Sequence, residues 1–188
     1  ARVRTTHDGM DLMLGSRRLH FIDTPGHARH HHCIWDEATR GWFTGDTFGL
    51  SYREFDTARG PWIVPTSTPV QFEPEALVAS IERLLAAAPA CMYLTHFGRV
   101  GEVPRLGELL LDQLRQLAAL GRAHADAAER HRLLVEGQLD IFCASLADHG
   151  CTLDRAQVAT LLAIDLQLNA QGMAAWLDRP KRHRVGKA

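Results

Sequence analysis

Three short apolar runs in the first hundred residues each stop at a turn that carries a histidine or an aspartate. Residues 19–22 lead into Asp23-Thr24-Pro25-Gly26-His27, residues 42–44 into Gly45-Asp46, and residues 91–94 into Thr95-His96-Phe97-Gly98. Runs this short, bounded by Gly and Pro, read as buried strands rather than helices. Strand ends are where a rigid scaffold passes into loops, and binding and catalytic groups concentrate there. Two imidazoles and one carboxylate in such places form a candidate metal-ligand set of His27, Asp46 and His96. For each residue taken singly, a solvated turn is the ordinary alternative.

The rest of the first half supports a layered α/β domain. Strands are expected over 3–6, 12–14 and 19–22, separated by turns at Gly9 and Gly15-Ser16, and a further strand over 29–35 turns through 36–41 into 42–44. Residues 47–70 are rich in Gly, Pro, Ser and Thr. A connection of that length is expected to be a functional lid, a binding loop or a disordered segment. Within it Tyr52, Arg53 and Trp62 are candidate substrate contacts, with loop packing the favoured reading. Glu73-Pro74-Glu75 opens a helix with acidic residues in its first turn. Leu77, Ile81, Leu84 and Leu85 follow the spacing of a face packed on a sheet, and Pro89 closes the helix before a strand over 92–94. Strand and helix alternating in this way indicates an α/β layer structure.

From Pro104 onward the strand pattern ends. Leu106, Leu109, Leu110, Leu114, Leu117 and Leu120 trace a long amphipathic helix. A second helix is expected over 123–146, and a third and fourth within 154–177, broken near Asn169–Gly172. The chain therefore divides into an α/β part, 1–103, and an all-α extension, 104–188, that ends in the basic tail Arg179-Pro180-Lys181-Arg182-His183-Arg184. A solvated terminus is the favoured reading of that tail.

The motifs occur in the order found in the second half of the metallo-β-lactamase superfamily, which runs strand, TPGH, strand, GD, helix, strand, His. The lead-in from Asp8-Gly9 through Gly15-Ser16-Arg17-Arg18-Leu19 also resembles the hairpin before that family's TPGH loop, and the likeness covers about 4–98. Gly26-His27-Ala28-Arg29-His30-His31 with Phe43-Thr44-Gly45-Asp46 is most similar to the broad group of bacterial hydrolases of this fold. The family's HxHxDH motif, which precedes TPGH and supplies most of the ligands, does not occur in the 188 residues. Thr6-His7-Asp8-Gly9 comes nearest and lacks the spacing. The expectation is the C-terminal half of an αββα sandwich followed by an all-α extension, with the remaining ligands upstream and no activity from this piece alone.

The resemblance implies roles for individual residues. His27 and His96 would each serve one of two metal positions, and Asp46 would bridge them as the catalytic carboxylate. Asp23 and His31 are candidates to hydrogen-bond the ligands from behind, and a carboxylate bonding its own turn is the alternative for Asp23. Residues 30–32 alternate faces in a strand, so His31 would point opposite to His30 and His32. Zinc is the preferred metal, one or two ions, with iron or manganese compatible with the same N/O donors. The implied activity is hydrolysis of a small ester, thioester, lactone or amide by hydroxide formed at the metal. A non-catalytic interaction or oligomerisation module with a degenerate metal site is the other reading.

Composition narrows the partners. Net charge is −1 with 21 Lys+Arg against 22 Asp+Glu, so no field favours nucleic acid or an anionic surface. No apolar run reaches the ~20 residues that a membrane helix needs. The expected partner is a small-molecule substrate, and the helical extension offers a surface for a homodimer. Cys33, Cys91, Cys143 and Cys151 form no CxxC pair and read as free thiols of a cytoplasmic protein. Of them, only Cys33, next to the histidine run, is near enough for a metal role, which is the less favoured reading.

Overall fold

The computed structural model describes residues 3–179; Pro180–Arg184 of the basic tail lie outside them. Strands β1 (Asp11–Leu14), β2 (Arg17–Asp23), β3 (His32–Asp36), β4 (Gly41–Gly45), β5 (Cys91–Leu94) and β6 (Arg99–Val100) form one sheet in sequential order. Every pairing is antiparallel except β4 with β5. That parallel pair needs a crossover, which α1 (Pro74–Ala86) supplies. Pro74 sits in its first turn, and Leu77, Ile81 and Leu84 are fully buried, as their spacing requires.

The register places His20, Trp35, Trp42, Met92 and Val100 across one face. The Trp42 indole N–H donates to the Leu84 carbonyl at 3.1 Å, so α1 covers this face. The opposite face carries Leu19, Ile34, Phe43 and Tyr93. No helix among the described residues caps it: Phe43 is exposed, and its ring stacks on Tyr93 at 4.7 Å.

The all-α part comprises α2 (Val103–Ala123), α3 (Arg130–Asp148), α4 (Arg155–Leu161) and α5 (Ala163–Leu177). Helix α2 packs on α1, α3 and α5, and α3 packs on α5. One apolar core runs without interruption from Ile22, Trp42 and Met92 through Trp62 to Phe142, Leu166 and Met173. No helix among the described residues is long and apolar enough to cross a membrane.

Several boundaries differ from the sequence expectation. Residues 3–6 are not a strand: the one apolar side chain, Val3, is exposed, and burial offers them nothing. Strand β3 starts at His32 instead of residue 29, because the His31 amide turns back to the Ala28 carbonyl. The second helix starts at Arg130 instead of 123. Helix α4 begins at Arg155, and the side chain of Asp154 just before it caps it in a capping box with Gln157. The break between the last two helices falls at Leu162, and α5 continues through Asn169 and Gly172. Gly172 is there for contact: a Cβ at that position would lie 2.3 Å from the Ser67 hydroxyl. The two-residue β6 carries no pattern long enough to show in the sequence.

The segment 47–70 is neither a lid nor disordered. Phe48, Phe55, Trp62, Ile63 and Val64 are fully buried between the sheet and the helices. Buried irregular backbone must have its polar groups paired, and here side chains do much of the pairing. Asn169 accepts from the Ser67 amide at 2.8 Å and donates to the Pro65 carbonyl at 3.0 Å. Gln113 donates to the Ile63 carbonyl, and the Ser51 hydroxyl to that of Trp62. A short bridge joins Leu50 to Val64.

Candidate metal centre

At the C-terminal ends of β2, β4 and β5 the chain turns out of the sheet, and the three turns bring His27, Asp46 and His96 together. His27 Nε2 lies 3.5 Å from Asp46 Oδ2, and His96 Nε2 lies 3.7 Å from Asp46 Oδ1. The carboxylate thus faces a different imidazole with each oxygen. His27 is nearly buried, Asp46 is partly open, and His96 stands at the rim with 55% of its side chain exposed.

Tautomers follow from the hydrogen bonds. His27 Nδ1 is 3.1 Å from the Thr66 carbonyl, which can only accept. In the neutral ring Nδ1 therefore keeps the proton, and the Nε2 lone pair points at the carboxylate. Two electron-rich atoms facing each other at 3.5 Å suit a shared cation, a proton or a metal ion. Asp46 Oδ1 is buried and without a hydrogen-bond partner among the described residues, a costly state in a protein interior. Donors about 2.1 Å from a shared zinc in tetrahedral geometry would stand about 3.4 Å apart, close to both observed separations.

The residues fit half of a metal centre. Each carboxylate oxygen with its facing imidazole makes two donors, where zinc takes four. Among the described residues no group of three or more His, Cys, Asp or Glu side chains is placed to hold a metal ion.

His31 lies behind this arrangement. The Asp46 amide donates to its Nε2 at 3.2 Å, which makes that nitrogen the acceptor and Nδ1 the protonated one. Nδ1 lies 2.9 Å from the Thr47 hydroxyl and 3.2 Å from that of Thr24. Burial, reinforced by His27, pushes the His31 pKa down to about 4, so the ring is neutral near pH 7. Its contact with the centre is through the Asp46 backbone amide. His30 and His32 are exposed while His31 is half-buried, although His30 sits in a turn ahead of the strand. Thr24 and Thr47 escaped the sequence reading, since nothing marks a threonine as an imidazole partner.

Asp23 is exposed at the end of β2, opposite His32, and no hydrogen bond joins its carboxylate to His27, His31 or His96 among the described residues. Its backbone amide donates to the Asp8 carboxylate at 2.8 Å. Cys33 is fully buried, its thiol 3.2 Å from the Thr24 hydroxyl and 3.3 Å from the Thr44 carbonyl. Burial pushes that thiol up to about 11, which suits packing rather than ligation. All four cysteines are free. Trp62 is fully buried, with its indole N–H on the Ser145 hydroxyl, and Arg53 folds back onto Ser51. Tyr52 is half-buried beside Phe97.

Known proteins share the fold. A metallo-beta-lactamase family protein from Thermus thermophilus has a similar structure, with TM-score 0.52 and 19% identity over 84% of this chain and 48% of its own. An archaeal metallo-beta-lactamase superfamily protein from Sulfolobus tokodaii matches with TM-score 0.46 and 24% identity, over 74% of this chain and 50% of its own. The chain thus spans about half the length of these solved structures. No curated protein matches it. The family profile described as the metallo-beta-lactamase superfamily matches residues 1–96, more than half of the chain, and on that match the chain belongs to the metallo-beta-lactamase superfamily.

Proposed function

We propose that the chain contributes three ligands, His27, Asp46 and His96, to the metal centre of a hydrolase acting on a small ester, thioester, lactone or amide. The observation that carries this reading is the Asp46 carboxylate, divided between two imidazoles and left with a buried, unpaired oxygen. When bound, one or two zinc ions, or iron or manganese, would polarise a substrate carbonyl and make water acidic near neutral pH. The chain's own residues do the positioning. The Thr66 carbonyl fixes the His27 tautomer, and His31 holds the Asp46 amide. His96, at the exposed rim, leaves the centre open to a substrate arriving from solvent. The missing donors are proposed to come from a segment outside these 188 residues.

The test is metal analysis of the full-length protein. One or two transition metals per chain are expected, with His27→Ala and Asp46→Ala each losing metal and turnover on an ester and lactone panel. Full metal content and activity in both variants would overturn the assignment. The lack of a three-donor cluster among the described residues favours a second reading for this chain alone, a non-catalytic interaction or oligomerisation module. A full-length protein that binds no metal and hydrolyses nothing would establish that second reading instead.

A further inference from the structure

We propose that the helical extension takes part in the centre: Asp165 on α5, acting through Tyr52 and Phe97, is a positioning residue for His96. The inference rests on the proposed function for what His96 does, and on geometry alone for how it is held.

His96 stands in a turn, 95–98, whose four residues are all exposed. Two backbone bonds tie this turn down, from the Leu94 amide to the Gly98 carbonyl at 3.1 Å and from the Thr95 amide to the Gly45 carbonyl at 3.4 Å. Phe97 adopts φ 69°, the left-handed region that a bulky residue seldom occupies. Such a conformation persists only where the surroundings over-determine it. The Phe97 ring lies against Tyr52, with centroids 4.3 Å apart. Tyr52 in turn is fixed at both ends. Its ring packs edge-on to fully buried Phe55 at 5.9 Å, and its hydroxyl donates to Asp165 Oδ2 at 2.6 Å.

Asp165 is 6% exposed, and the Tyr52 hydroxyl is its one side-chain partner among the described residues. A buried carboxylate carries a large desolvation cost that an apolar residue of similar volume would avoid. What the carboxylate provides is a single strong, directional bond to Tyr52. The chain of contact is then complete: α5 sets Tyr52, Tyr52 sets the Phe97 ring, and Phe97 sets the peptide that carries His96. Helix, aromatic pair and ligand loop come from three distant stretches of sequence.

The experiment compares Tyr52→Phe, which removes one oxygen, and Asp165→Asn with the wild-type full-length protein. Removing a partner that orients a ligand typically costs about 10–100-fold in metal affinity. The weaker of two cobalt equivalents is expected to lose about tenfold or more, and the tighter one to be unchanged. In metal-free protein, long-range 1H–15N spectra should show the His96 imidazole signals shifted or broadened, with those of His27 and His31 unmoved. The double variant Tyr52→Phe/Asp165→Leu removes both members of the bonded pair and strands neither, so it should regain the wild-type melting temperature without regaining the His96 signals. Unmoved His96 signals in both single variants, or their recovery in the double variant, would overturn the proposal. A wild-type protein that takes up no cobalt would count against the proposed function, and the imidazole spectra would still decide the positioning.

Discussion

Gly45 and Asp46 read as a pair in the sequence, and the structure supplies the reason for the glycine. Gly45 has φ 51°, and a Cβ built on it would lie 2.3 Å from His31 Nε2, the atom that receives the Asp46 amide. Gly45→Ala therefore costs about 1–2 kcal/mol from the backbone conformation, and the clash adds to that by displacing His31 from Asp46. Urea denaturation should register the loss, and bound metal in the full-length protein should fall with it. A variant of unchanged stability and metal content would show that His31 does not hold Asp46. At this scale the sequence was legible where a residue type is needed for its own chemistry, as with His27, Asp46 and His96. It was silent on Thr24, Thr47 and Thr66, whose hydroxyl or carbonyl oxygens matter only through the partners that folding brings to them.

Among the elements, the strands and helices with clear periodicity came out close to their expected places, as α1 shows. Segment 47–70 did not, and the cause is physical. Gly, Pro, Ser and Thr describe local freedom of the backbone, whereas the fate of this segment was decided by its Phe and Trp side chains finding a core on both sides. The Asn169 clamp holds it from α5. Asn169→Ala strands the Ser67 amide and the Pro65 carbonyl, at about 1–3 kcal/mol for each buried group. Chemical denaturation should show a loss of about 3 kcal/mol, well above the roughly 1 kcal/mol centre of the distribution for point variants. The same clamp accounts for the uninterrupted α5, because an Asn turned outward to a neighbouring segment does not compete for its own helix backbone.

At the scale of the molecule, one face of the sheet is covered by helices, and among the described residues no helix lies on the other. Leu14 and Phe43 are exposed on the bare side, with Ile34 and Tyr93 half-buried beside them. An apolar surface of this kind attracts partners or dyes. The 188-residue chain is expected to bind a hydrophobic dye or to self-associate with rising concentration, and Phe43→Lys should weaken both. Light scattering and dye fluorescence measure this directly, and indifference to Phe43→Lys would mean that the face is not the sticky one. Helix α1 covers the opposite face, and the helical extension packs on α1 and shares a single core with the sheet.

By itself the sequence determined the class of fold and singled out His27, Asp46 and His96, which the fold brings together, because periodicity, turn chemistry and donor type are properties of short stretches. The tertiary structure alone decided that Asp46 divides its oxygens between two imidazoles, that the long connection is core, and that Asp165 bonds Tyr52 across 113 positions of sequence. Those depend on contacts between residues dozens of positions apart, and such contacts exist only once burial of a shared core has fixed the chain in one arrangement.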